Sequence, residues 1–151
     1  MSNMFDPAMF LEATINEANS TESIPVPVGE YVATITDVKA RKWQAKDQSS
    51  EGIALDVLWE IDDADVKELL GRTKVTVKQG IMLDLNEQGG LDIGKGRNVN
   101  LGRLREAVGL NVPGQPFSFF MLNGRPAKVL VEHRPNGDQI FAEVKGVTKL
   151  V

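Results

Sequence analysis

A chain of 151 residues with 42% hydrophobic content is long enough for one compact domain with its own core, unassisted by staples. It has no cysteine and a single histidine, His133, which excludes disulfides, thiolate metal sites and histidine-rich metal cages. No apolar run reaches the length of a membrane span and the N-terminus carries no basic-then-apolar leader, so a cytoplasmic protein is expected.

The net charge of −4 argues against a polyanionic partner, but its distribution does not. Residues 1–38 hold six acids and no Lys or Arg, whereas residues 39–151 hold all 17 basic residues against 15 acids. From Leu69 onward there are 12 basic residues and 7 acids.

Residues 1–23 read as an acidic arm. Asp6-Pro7 is a helix start, with Ala8, Leu11, Ile15 and Ala18 on one side, which predicts a short helix from Pro7 to about Ala18. Asn19 to Ser23 is a polar connector, and a disordered terminus is the plain alternative. The arm is expected to pack on the domain or on a neighbouring copy, so a homo-oligomer is one expected state. Its acids also suit it to cover a basic groove.

The domain proper is expected over 24–151. Pro25, Pro27 and Gly29 stop any helix, and Tyr31–Val38 is a β-branched run apolar on both faces, hence a central first strand. It runs into a basic cluster with an aromatic, Lys39, Arg41, Lys42, Trp43 and Lys46, expected to be delivered to a loop. Ile53, Leu55, Val57, Trp59 and Ile61 alternate strictly, which predicts a second strand with Trp59 in the core. Asp62 to Asp65 open a brief helix or turn ending before Gly71. Arg72–Gly80 is a third strand with Val75 and Val77 inward and Lys74, Thr76 and Lys78 outward. A glycine-rich loop follows, holding Lys95 and Arg97. Asn98 or Asn100 is expected to cap a helix to about Val108 that buries Leu101, Leu104, Ala107 and Val108. Phe117, Phe119 and Phe120 sit in a Pro/Gly-punctuated connection. Strands from Ala127 to His133 and from Gln139 to about Lys149 flank a hairpin turn at Arg134–Asp138.

The expected order is strand, strand, strand, helix, strand, strand. That is the order of the OB-fold, so a mainly β protein is expected: a five-stranded Greek-key barrel with one helix between strands 3 and 4. The acidic arm running into Pro27-Val28-Gly29-Glu30-Tyr31, the segment Leu101-Gly102-Arg103-Leu104-Arg105-Glu106-Ala107-Val108-Gly109-Leu110, and the approach Asn123-Gly124-Arg125-Pro126-Ala127-Lys128-Val129 resemble a family of phage-encoded OB-fold proteins. These are single-stranded DNA-binding proteins of replication and recombination. The resemblance implies a place in the host cell cytoplasm, replication proteins as further partners, and a non-catalytic role without cofactor or metal. It departs from many proteins of this function in ending Val147-Thr148-Lys149-Leu150-Val151 rather than in an acidic tail.

Binding unpaired strands without sequence preference needs cations along a groove and rings on which bases stack. The candidates are Lys39, Arg41, Lys42, Trp43, Lys46, Lys74, Lys78, Lys95, Arg97, Arg125 and Lys128. Trp43 is the stacking candidate, against a ring folded back on the domain. Gly94-Lys95-Gly96-Arg97, just before a helix, could hold a phosphate, although it is not a Walker A loop. The phenylalanines read as base partners, a subunit contact or a barrel-end core. Enzyme readings are weak: Glu143-x-Lys145 with Asp138 lacks the rest of a nuclease site, Asp62, Asp63 and Asp65 lack the remainder of a calcium loop, and His133 has no catalytic partner in recognisable spacing. The rival to nucleic-acid binding is a protein-interaction or virion/replisome accessory module on the same barrel.

Overall fold

The structure, a computed structural model, describes residues 5–150. Five strands, β1 (Gly29–Gln44), β2 (Glu51–Ile61), β3 (Thr76–Met82), β4 (Pro126–Asn136) and β5 (Gln139–Thr148), pair in the order β1-β2-β3-β5-β4. β4 pairs back onto β1 and closes the sheet on itself. All neighbours are antiparallel except β3 and β5, which touch in parallel through the pair Lys78 and Glu143. The expected mainly β architecture, strand number and helix position therefore hold. Helix α1 is Pro7–Glu12, α2 (Ala64–Leu70) joins β2 to β3, and α3 (Val99–Ala107) with a 3-10 turn at Phe119–Leu122 joins β3 to β4.

The core follows the alternation. Leu55, Val57, Trp59 and Ile61 of β2 meet Ala33 and Ile35 of β1, Val77 and Ile81 of β3, and Val129 and Val131 of β4, while Leu101 and Leu104 of α3 join the same cluster. Trp59 is fully buried, and its indole Nε1 donates to Gln79 Oε1 at 2.9 Å, which satisfies both polar groups inside an apolar interior.

β1 is much longer than the apolar run alone indicated. Its register against β2 slips between Ile35 and Asp37, a bulge at Thr36. One extra residue reverses the facing of everything after it. Val38 thus takes the inward place, and Lys39, Arg41 and Trp43 turn outward. The basic cluster up to Trp43 is strand, not loop.

Other boundaries move for local reasons. α1 stops at Glu12 rather than near Ala18; Asp6 caps it, accepting from Ala8 N, but it buries nothing that would extend it. α2 is capped as expected, by Asp63 Oδ1 accepting from Val66 N and by Gly71 in the left-handed region at φ 67°. β3 runs past Gly80 to Met82 without a bulge. Asn98 precedes α3, yet its side chain does not cap it. Its Oδ1 accepts from Asp84 N, and its Nδ2 donates to the carbonyls of Asp84 and Asp92, so it ties the glycine-rich loop to the end of β3. β4 and β5 continue through Arg134, Pro135 and Asn136, leaving a two-residue turn at Gly137-Asp138. Gly137 has φ 62°, the conformation a hairpin turn of this length requires at its first position.

The arm meets the domain at Val26 and Pro27. Val26 is buried and its carbonyl accepts from His133 Nε2 at 2.7 Å, while Tyr31 Oη donates to the Pro27 carbonyl at 2.7 Å. His133 is exposed and serves as this tether.

Candidate functional site

Strand pairing decides which cations come together. β3 and β5 share a single bridging pair, so the sheet splays there and leaves a groove of about 790 Å³ between them, with α3 as its flank. Arg41 reaches it from β1, Lys78 from β3, Arg103 from α3, Arg134 from β4 and Lys145 from β5. One carboxylate, Glu143, lines it among them. Glu143 holds Lys145 Nζ at 2.7 Å and Arg134 Nε at 3.5 Å, and Arg41 Nε lies 2.9 Å from Asp56 Oδ2. These half-exposed pairs orient their cations, and exposed ion pairs are weak enough, at ~0–1 kcal/mol, for a phosphate to compete. Phe141 and Met82, both substantially exposed, give the groove apolar surface.

Of the eleven residues expected from sequence, Arg41 and Lys78 line this groove. Lys39 is on the same outward side of β1 as Arg41, beside Asp37 at 3.7 Å. Lys42 is on the alternate side with Ile53, at the barrel mouth, beside Glu51 at 3.4 Å. Trp43 stands opposite Gly52, and its half-buried ring rests on that glycine: a Cβ there would fall 2.8 Å from Trp43 Nε1. The ring has thus folded onto its neighbouring strand and is not part of the groove lining. Lys46 is exposed in the β1–β2 loop, where Asp47 accepts from Ser49 Oγ and N; these hydrogen bonds, the hydroxyl's first, hold its carboxyl below the ordinary range. Lys74 lies ahead of β3, 3.9 Å from Glu60, and outside the groove.

The Gly94–Arg97 loop spends its polar groups on itself. Gly94 N donates to Asp92 Oδ1, Arg97 N to the Gly94 carbonyl, and Arg97 Nε sits 3.8 Å from Asp92. What α3 contributes instead is Arg103, with Asn100 beside it. Arg125 is half-buried where its carbonyl accepts from Ile35 N, and Lys128 is half-buried on β4 between Val32 and Thr148, so neither lines the groove.

No protein-family model matches this chain, and no curated protein matches it.

The residues missed from sequence are Arg103, Arg134, Lys145, Phe141 and Met82. Arg103 falls off the buried stripe of α3, and Lys145 alternates against Val144; both facts were visible in the periodicity, but not that they line one groove. Among the described residues no three His, Asp or Glu side chains gather as a metal site, and no helix is long and apolar enough to cross a membrane. Asp63 is a helix cap, and Glu143 is an anchor for two cations.

A second concavity is different in kind. An apolar bowl of about 380 Å³ is lined by Val38, Ala40, Ile53, Leu55, Leu83, Leu85, Leu91, Phe119 and Phe120 with Gly89 and Gly90. Phe117 is not in it: its ring meets Phe119 edge-on at 5.4 Å and carries the Arg105 guanidinium at 4.1 Å from its centroid. Arg105 Nε also donates to the Leu110 carbonyl, so this arginine closes the end of α3.

Proposed function

We propose that this chain is a non-catalytic single-stranded DNA-binding protein built on an OB-fold, gripping unpaired strands in the β3–β5 groove without reading their sequence. The carrying observation is the convergence of five cations from five different elements on one groove that also offers Phe141 and Met82. Cations spaced along a channel neutralise successive phosphates, and rings or thioethers between them receive bases whatever their identity. The strand order, with β3 against β5 in parallel and the helix between β3 and β4, supports the OB-fold reading. A role in phage replication or recombination, in a host cytoplasm with other replication proteins, follows from the family resemblance and belongs to the same proposal.

Fluorescence anisotropy with labelled oligo-dT, titrated at several salt concentrations, tests it. Binding that weakens steeply with salt and prefers single strands to duplex is the expected result. An absence of binding at low salt overturns it. The protein-interaction reading is favoured by one observation, the apolar bowl with its exposed Phe120.

A further inference from the structure

The apolar bowl and the N-terminal arm are each incomplete. The arm's Phe5, Met9, Phe10, Leu11 and Ile15 are all exposed, Phe10 at 78%, and α1 buries none of its residues. Five large apolar side chains over eleven residues need a cover that the barrel of the same chain does not supply in this structure. The bowl has the opposite deficit: Ile53, Leu85, Leu91 and Phe119 are only partly buried, and Phe120 at its rim is 77% exposed. Charge agrees with shape. The arm carries Asp6, Glu12, Glu17 and Glu22 and no Lys or Arg, whereas the shelf continuing the bowl past Ala40, Ile53 and Leu85 presents Arg41 and Lys42 against one acid, Glu51, whose exposed pairing with Lys42 at 3.4 Å is weak enough to exchange.

We propose that the Phe5–Ile15 segment of one copy docks in the apolar bowl of a second copy, with Phe10 and Phe120 in contact and the arm's acids toward Arg41 and Lys42. The residues from Ala13 to Pro25, between α1 and the anchored Val26, reach roughly 40 Å when extended, farther than the ~15 Å radius of gyration of a chain this size. That is enough to cross to a neighbour. Because every copy carries both an arm and a bowl, two copies exchanging arms satisfy both deficits at once, and the second contact forms within an already joined pair. The bowl shares no lining residue with the β3–β5 groove, and Arg41 alone borders both the groove and the shelf, so Phe10 and Phe120 test the docking apart from nucleic-acid binding.

Sedimentation equilibrium of the full chain tests it, alongside Phe10→Asp on the arm and Phe120→Asp on the rim. The full chain is expected to dimerise, and each variant to weaken dimerisation by about tenfold or more, the effect of removing a central aromatic anchor. Both side chains are exposed within a single chain, so neither change threatens the barrel, and circular dichroism verifies this. An equimolar mixture of the two variants should regain a dimer, because the intact arm of one meets the intact bowl of the other. A full chain that stays monomeric to its solubility limit, or a dimer indifferent to both substitutions, overturns the proposal.

Discussion

Gln79 is the one buried polar side chain among the described residues, and its only evident task is to accept the Trp59 indole proton. Gln79→Leu would keep the volume and orphan that donor. It should destabilise the fold by about 1–3 kcal/mol, measured by urea denaturation. Trp43 presents the reverse situation, a ring held by the lack of a side chain opposite it. Gly52→Ala puts a methyl group 2.8 Å from Nε1, so the ring must leave. Because Trp59 is sealed, acrylamide quenching of tryptophan emission reports Trp43 almost alone, and it should rise in the variant. Unchanged quenching would mean the ring was not resting there.

At the level of elements, the beginning of β1 shows how a terminus is tied down. Tyr31 donates to the Pro27 carbonyl, and burial, with a smaller contribution from Asp63, raises its phenol above the ordinary value. A raised acid favours the neutral form in the folded state. Its contribution to stability is complete below the unfolded value of about 10 and is lost as pH climbs through the folded one. Denaturant titrations from neutral pH to above about pH 10 should therefore show an alkaline loss of stability that Tyr31→Phe reduces. Equal alkaline loss in both proteins would contradict the assignment. The bulge at Thr36 is the other decisive local feature, since it turns Lys39 and Arg41 outward and Lys42 away from them. Strand alternation divides this contiguous cluster between two faces, and the bulge decides which members face out.

For the whole molecule, the groove exists because the sheet closes where its pairing is weakest, between β3 and β5. On the proposed single-strand reading, Lys78→Ala or Arg134→Ala should each lower the slope of log affinity for oligo-dT against log salt by about 1, the signature of one lost phosphate contact. Phe141→Ala should cost about 1–3 kcal/mol of binding while leaving the slope unchanged, as loss of a stacking partner does. Lys95→Ala, in a loop that does not line the groove, should leave both quantities as they were. If Lys95→Ala instead matches Lys78→Ala, the anion path runs elsewhere.

Much of this architecture was legible in the residues alone because alternation and punctuation are local. Ile53 to Ile61 declared an inward face and a buried Trp59, Asp63 and Gly71 bracketed α2, and Gly137 located a hairpin. The candidate site was legible only at Arg41 and Lys78. Its other members lie tens of residues apart, and nothing in their neighbours says that β5 returns to β3 rather than stopping at β4. Two influences acting across the chain made that choice: a one-residue bulge that resets facing, and the closure of the sheet, which sets Arg41, Lys78, Arg103, Arg134 and Lys145 around one opening. Facing within a strand is a property of near neighbours, but convergence between strands depends on register, and register is fixed by the packing of the barrel as a whole.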